Sequence, residues 1–257
     1  MEQRKEPKNY RLSTEAFPIV KQILFLGFGW LGFQILAVIF RIFIVYVLRG
    51  AYADDPNTLY ASSYWASMAI NSLAYVSLLI ILLFVAYADI PKLLKSFKQW
   101  QSALAGVICF AAIMAFNIQY SMFLTTLKSL GILKTPVTDN INQQSLVSLE
   151  SLYPFASLIV FGFIGPICEE LTYRVGLFSL CKRKARWLAY LVTIIVFSFI
   201  HFNYNSTSLV NEIMNLPYYA FAAAAFSFTY DHFGFAGSLI GHVINNVVSL
   251  AFIVTIR

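Results

Sequence analysis

The residues best equipped for chemistry are ionisable side chains that lie inside long apolar segments. A charge at the bilayer centre costs about 2.5–3.5 kcal/mol on insertion scales, so such residues usually mark functional sites. Apart from Arg41, all of them fall in the last hundred residues: Glu169, Glu170, Arg174, His201 and His242. They offer carboxylates and imidazoles, which are the side chains that most often transfer protons in enzymes.

Two glutamates and an arginine form the first motif, Glu-Glu-Leu-Thr-Tyr-Arg. Glu170 and Arg174 are four residues apart, so on a helix they share a face and can pair in the favourable Glu-before-Arg order. Glu169 points about 100° away from Glu170, and in an apolar site it could act as a general base. Gly165-Pro166 just upstream predicts a kink. Alternatively, the two glutamates and the arginine form a structural cluster that holds the bundle together, or they mark the charged end of a span.

Two histidine motifs follow in later apolar segments. Phe197 precedes His201 by four residues, and His242 precedes Asn246 by the same interval, which places each pair one helical turn apart. Taken alone, each motif is explained as well by structural hydrogen bonding. The glutamates and the two histidine motifs together indicate hydrolysis more specifically than any one motif does, because a carboxylate with an imidazole can activate water. An imidazole with a carboxamide can then stabilise an oxyanion, so hydrolysis needs no Ser or Cys nucleophile.

The chain that must position these residues has the composition of a membrane protein. Of its 257 residues, 59% are hydrophobic and 12% are charged, against roughly 45–50% and about 25% in soluble domains. This disfavours a soluble or disordered chain, and long unbroken apolar runs disfavour a β-barrel. The net charge of +6 fits a positive-inside bias. A lipid bilayer is therefore the expected surrounding, and nucleic acid is not an expected partner.

The apolar runs predict an all-α fold, a polytopic transmembrane helical bundle of about seven spans, within a range of six to eight. A span needs about 20 mostly apolar residues. The candidate spans are 22–48, 63–88, 102–126, 153–180, 187–203, 212–230 and 234–256. Lys and Arg concentrate in the N-terminal tail and in alternate loops, which predicts a multi-pass membrane protein with a cytoplasmic N-terminus.

A Gln/Asn/Ser-rich stretch at 137–148 is the best candidate for a domain boundary. It would separate 1–136, a cytoplasmic tail with three transmembrane helices, from 137–257, a catalytic core of four helices. Asp231 and His232 fall in a predicted turn at 231–233 and are interpreted as a solvated loop pair.

In this order, Glu-Glu-x-x-x-Arg, Phe-x-x-x-His and His-x-x-x-Asn resemble the motifs of the CPBP family of intramembrane endopeptidases, which includes CAAX proteases and bacteriocin-processing (Abi) proteins. The resemblance covers about residues 150–250. It implies an α-helical bundle with a four-helix core. By position it implies these roles: water activation by Glu169 and His201, oxyanion binding by His242 and Asn246, and support from Glu170, Arg174 and Phe197. One departure is Val175, where many relatives carry Gly; here Gly follows at 176.

The resemblance also implies a substrate class. The expected substrate is a peptide or a membrane-tethered protein. In bacteria the resemblance suggests leader processing of signalling peptides or bacteriocins, or self-immunity, and in eukaryotes and archaea it suggests cleavage after a prenylated cysteine. A bacterial cell membrane is the expected location. No cofactor is expected, although a zinc site of Glu169, His201 and His242 is the alternative. The alternative function is a non-catalytic membrane scaffold or a regulator of a sensor kinase. A transporter is less favoured because the chain shows no symmetric halves. No oligomeric state is predicted.

Overall fold

The computed structural model describes residues 17–51, 56–134, 137–138 and 140–255, and this part of the chain contains helices but no strands. The basic tail at 1–16, on which the predicted cytoplasmic N-terminus partly depends, lies outside the described residues. The helices are α1 (Ile19–Gly50), α2 (Pro56–Ala86), α3 (Trp100–Ser129), α4 (Ile141–Leu152), α5 (Pro154–Lys182), α6 (Arg186–Phe199), and Leu209–Thr255, which Gly234 divides into α7 (209–233) and α8 (235–255). Short helical turns, including Ile90–Lys95, join α2 to α3.

The predicted helical membrane bundle is confirmed. Among the described residues, five helical stretches are long and apolar enough to cross a membrane: Ile19–Gly50, Ser63–Lys98, Trp100–Ser129, Pro154–Lys182 and Leu209–Ala251. Large apolar side chains such as Ile42 and Phe84 are exposed on their outer faces, as contact with hydrocarbon would require. The predicted span at 187–203 is shorter, because α6 has 14 residues. These residues cover about 21 Å, less than the hydrocarbon core of about 30 Å.

The last two helices form a hairpin at a single glycine. Gly234 has φ 80° and ψ −173°, a backbone conformation that glycine adopts readily and other residues rarely do. The rings of Phe226 and His242 stack with centroids 4.3 Å apart, whereas a straight helix would separate these residues by about 24 Å. The chain therefore reverses at Gly234, which separates the predicted segments 212–230 and 234–256.

One end of the bundle is basic. Two buried aspartates lie there, each paired with two cations: Asp89 with Lys21 and Lys92, and Asp231 with Lys182 and Arg186. Arg183 donates to the carbonyl oxygen of Phe17 at 2.7 Å, which joins the end of α5 to the start of α1. Ser102 donates to the carbonyl oxygen of Phe233, which brings the start of α3 to the α7–α8 turn. We call this the basic end.

The prediction for Asp231 is wrong. It was interpreted as half of a solvated loop pair, but the residue is only 4% exposed. Lys182 and Arg186 surround its carboxylate, and Tyr190 donates to it at 3.1 Å. A buried carboxylate needs such partners because burial of an unpaired charge is costly.

At the opposite end, amide side chains hold the loops by hydrogen bonds, and we call it the polar end. Asn140 donates to the carbonyl oxygen of His201 at 3.1 Å and accepts from the hydroxyl of Tyr219. Asn215 donates to the carbonyl oxygen of Thr138 at 2.9 Å. These contacts hold the chain before α4 against the loop after α6 and against α7.

The helix that carries the glutamates, α5, changes type along its length. π-helical turns occupy Leu158–Ile164 and Glu170–Phe178, on either side of an α-helical stretch at Gly165–Glu169. Pro166, for which the sequence predicts a kink, lies inside α5 where π-helical turns change to α-helical ones, and its missing N–H removes one backbone hydrogen bond of the helix there. π-Helical turns are rare and often lie at functional sites.

Gly176 sets the distance between α1 and α5. A Cβ atom at this position would lie 2.9 Å from the backbone nitrogen of Leu26 and 3.2 Å from the carbonyl oxygen of Gln22. The backbone of α1 can approach α5 only because residue 176 has no side chain. Val175, at the position where many relatives of the resembled family have glycine, is instead fully buried in the core.

Gly176→Ala is therefore expected to destabilise the protein by about 1–3 kcal/mol, because overpacking pushes α1 and α5 apart. Gly27→Ala is the matched control on α1, since a Cβ there would have no atom within 4 Å. Thermal unfolding in detergent compares both variants with the wild type. Equal unfolding temperatures for the two variants would contradict the close contact between these helices.

Candidate active site

A cavity of about 380 Å³ receives side chains from all three motifs. Helices α1 and α2 contribute residues such as Trp30, Phe33 and Tyr75, and α4 contributes residues at the polar end. The predicted site residues that line it are Glu169, Phe197, His201, His242 and Asn246. Glu170 and Arg174 do not line the cavity and are fully buried behind it. The structure thus brings the predicted residues together, and their chemical roles stay predictions.

Glu169 is the carboxylate that faces the cavity. Its side chain is 20% exposed, and its Oε2 lies 3.6 Å from Nε2 of His242. Glu170, the next residue, points into the protein and is fully buried. The two glutamates differ in their surroundings, as their angular separation on the helix predicts. Glu169 can contact water and a ligand, whereas Glu170 cannot.

Glu170 links α5 to α8. Its Oε1 accepts a hydrogen bond from Nδ1 of His242 at 2.8 Å and lies 3.1 Å from Nη1 of Arg174. Its Oε2 accepts a hydrogen bond from the hydroxyl of Ser238, one turn before His242 on α8. These contacts fix the position of His242 relative to Glu169.

The contact with Glu170 determines the tautomer of His242. A carboxylate only accepts hydrogen bonds, so the ring hydrogen is on Nδ1, and Nε2 faces Glu169. Phe226 stacks against the ring and holds its plane. In the neutral form Nε2 is an acceptor. When His242 is protonated, Glu170 can stabilise the cation, and Nε2–H becomes a donor that can stabilise an oxyanion.

His201 has its tautomer fixed in a similar way. Its Nδ1 lies 2.8 Å from the carbonyl oxygen of Phe197, and a carbonyl can only accept, so Nδ1 carries the hydrogen. The ring stacks on Tyr219 with centroids 4.4 Å apart. Nε2 is therefore the basic nitrogen of a cavity-lining ring, able to take a proton from water.

Asn246 has a fixed carboxamide orientation. Its Nδ2 donates to the carbonyl oxygen of Phe161 at 3.0 Å, and its Oδ1 accepts from Nδ2 of Asn245 at 3.3 Å. One N–H of Nδ2 is used in the first contact, and the second is available to a ligand. Because Asn246 is one turn beyond His242, both side chains can donate to the same oxygen atom.

Arg174 supports the site from behind. Its guanidinium lies 4.7 Å from the ring centroid of Phe197 and 5.3 Å from that of Phe226. It also forms the predicted ion pair with Glu170. Cation–π contacts are strongest where water is excluded, as it is here. Phe197 therefore contacts the arginine and also lines the cavity.

Three contact residues were missed in the sequence. Ser238 donates to Glu170, Phe226 stacks on His242, and Tyr219 stacks on His201. Their spacing is the sequence feature that could have identified them, because Tyr219 and Phe226 are seven residues apart and share a face of α7. Ser238 is four residues before His242 and so shares its face of α8.

The alternative zinc site gains no support from the geometry. Among the side chains that the structure describes, no three His, Cys, Asp or Glu converge as they would around a metal ion. Hydrolysis without a metal stays a prediction.

The C-terminal part of the chain is similar to a known family. Residues 151–248 match the family model described as type II CAAX prenyl endopeptidase Rce1-like. This range contains all three motifs and most of α5 to α8. No curated protein and no solved structure matches the chain.

Proposed function

We propose that the protein is a glutamate-dependent intramembrane endopeptidase, because residues 151–248 match the family model described as type II CAAX prenyl endopeptidase Rce1-like. The observation that carries the proposal is the arrangement of Glu169. It is a cavity-facing carboxylate beside Nε2 of His242, whereas Glu170 is sequestered by Arg174, His242 and Ser238. One carboxylate can react, and the other positions its neighbours.

In the first step, Glu169 takes a proton from a water molecule, assisted by Nε2 of His201. The water oxygen then bonds to the carbonyl carbon of the scissile peptide. The carbonyl oxygen becomes an oxyanion, and it accepts hydrogen bonds from Asn246 and from protonated His242. Donors fixed in advance around a developing charge are often the largest single contribution to catalysis.

In the second step, the tetrahedral intermediate collapses. The carbon–nitrogen bond breaks, and the leaving nitrogen receives the proton that Glu169 took from water. The hydroxyl group of the intermediate gives its proton to the released amine, so the products are a carboxylate and a protonated amine, and Glu169 is ionised again for another cycle. His242 keeps its orientation throughout, because Glu170 holds Nδ1.

The proposed substrate is a peptide or a membrane-tethered precursor. The cavity is lined by Trp30 and Phe33 of α1 as well as by polar residues of α4, so it can accept an apolar segment next to a polar one. Leader processing of a signalling peptide or bacteriocin, or self-immunity, is the finer form of this proposal.

The test compares peptides released by cells that carry the wild-type protein with those from cells that carry Glu169→Ala, at matched protein levels. The proposal predicts specific cleavage products that disappear in the variant, and also in His201→Ala and His242→Ala. Asp89→Asn, which alters two ion pairs at the basic end, is the control and should leave these products present. The product termini would identify the cleavage site.

Indistinguishable peptide pools, with the cellular phenotype preserved in Glu169→Ala, would overturn the proposal. The protein would then act as a membrane scaffold or as a regulator of a sensor kinase. The next experiment would be a search for a bound partner.

A further inference from the structure

The lysine and arginine residues are distributed unevenly between the two ends of the bundle. Of the described residues, those near the basic end are Lys21, Lys92, Lys95, Lys98, Lys182, Arg183, Lys184 and Arg186. Those near the polar end are Arg49, Lys128 and Lys134. Short cytoplasmic loops are enriched in Lys and Arg, and this enrichment determines the orientation of membrane proteins. The basic end is therefore expected in the cytoplasm.

The cavity extends toward the other end, the polar end. Several of its lining residues belong to α4, among them Asn142 and Gln143, and His201 lies in the loop at the same end. None of its described lining residues comes from the segments that form the basic end, namely 17–22, 89–102, 182–186 and 231–236.

The space between the site and the basic end is filled by side chains. Phe25, Leu82 and Phe178 are fully buried there and belong to one continuous core cluster, which also contains Phe17 and Phe235. A close-packed interior of this kind has no room for a polypeptide. A substrate segment can thus reach Glu169 from the polar end and not through the basic end.

We infer that the cavity opens on the non-cytoplasmic face of the membrane. Its substrates would be exported polypeptides, or polypeptides tethered to the outer leaflet, whose cleavable segment enters past α4. The statement about substrates rests on the proposed peptidase function. The statement about orientation rests on the charge distribution and the packing alone.

The test is cysteine labelling of the full-length protein in spheroplasts. In a background with Cys109, Cys168 and Cys181 replaced by Ala, a membrane-impermeant maleimide probes Asn142→Cys at the cavity. Lys184→Cys at the basic end is the matched control, since both side chains are exposed. We expect labelling of Asn142→Cys in sealed spheroplasts, and of Lys184→Cys only after permeabilisation. Peptides that depend on Glu169 should carry the sequence of exported segments.

The reverse labelling pattern, or labelling of Asn142→Cys only after permeabilisation, would overturn the inference. The labelling needs no catalytic activity, so its outcome is independent of the peptide comparison. If the peptide pools do not depend on Glu169 but the labelling is as expected, the peptidase fails and the orientation stands. Products that depend on Glu169, together with reversed labelling, would instead indicate a cytoplasmic peptidase.

Discussion

Asn246→Leu is expected to reduce kcat for the precursor identified by the peptide comparison by about 10²–10³-fold, the usual cost of losing one oxyanion donor. The change keeps the approximate side-chain volume and removes the N–H that Asn246 can offer to the cavity. KM should change little, because the oxyanion exists only after water has attacked. Cleavage rates at several substrate concentrations, measured with purified protein, separate these two effects.

Asn117→Leu is the control for this experiment. Asn117 is also a carboxamide within a membrane span, on α3, but it does not line the catalytic cavity. Its buried Oδ1 has no hydrogen-bond partner among the described residues, so its removal should cost little stability. If Asn246→Leu and Asn117→Leu gave the same kcat, Asn246 would have no part in stabilising the oxyanion.

Arg174→Met should destabilise the protein by about 3–5 kcal/mol, the cost of removing one partner from a buried ion pair. The Glu170 carboxylate would then be buried without the guanidinium that neutralises it. The cation–π contacts with Phe197 and Phe226 would also be lost. The free energy of unfolding, from denaturant titration in mixed micelles, measures the effect.

A double variant tests the physical reason. Glu170→Gln with Arg174→Met removes both charges, so it should recover part of the lost stability and yield a non-additive cycle. Arg41→Met is the matched control, because Arg41 is exposed and its loss should cost less than about 0.5 kcal/mol. An Arg174→Met protein as stable as Arg41→Met would show that the ion pair is dispensable for folding.

The sequence predicts which motif residues share a helix face, because this information is local. Spacings of four residues place His242 with Asn246, and Glu170 with Arg174, wherever the chain is helical. Apolar segments are equally local, and this is why the helical bundle is predicted with few errors. What each side chain contacts across the bundle is not local. The sequence alone therefore cannot assign the hydrogen on Nδ1 of His242, which depends on contact with another helix.

The stretch at 137–148 shows another limit of prediction from the sequence. Its polar composition suggested a boundary, and most of it belongs to α4, which covers the polar end of the cavity. The domain division stays a prediction. A usable signal was present, since Asn140 accepts from the backbone N–H of Gln143 as a helix N-cap and this residue type favours that position. The π-helical turns of α5 have no comparable signature in its sequence.

The hairpin at Gly234 has a consequence for how this gene can vary. A turn of one residue cannot change its length without moving the helices that it joins. An inserted or deleted residue near Gly234 would therefore shift α7 or α8, whereas a long surface loop can change its length without moving its neighbours. One extra residue within α8, between the turn and His242, would rotate His242 and Asn246 by about 100° about the helix axis. Neither side chain would then face Glu169, and Gly237 and Gly241 would leave their close contact with Gly106 of α3. Length changes here should therefore inactivate the protein, whereas insertions and deletions in exposed loops away from the hairpin and the motifs should be tolerated better.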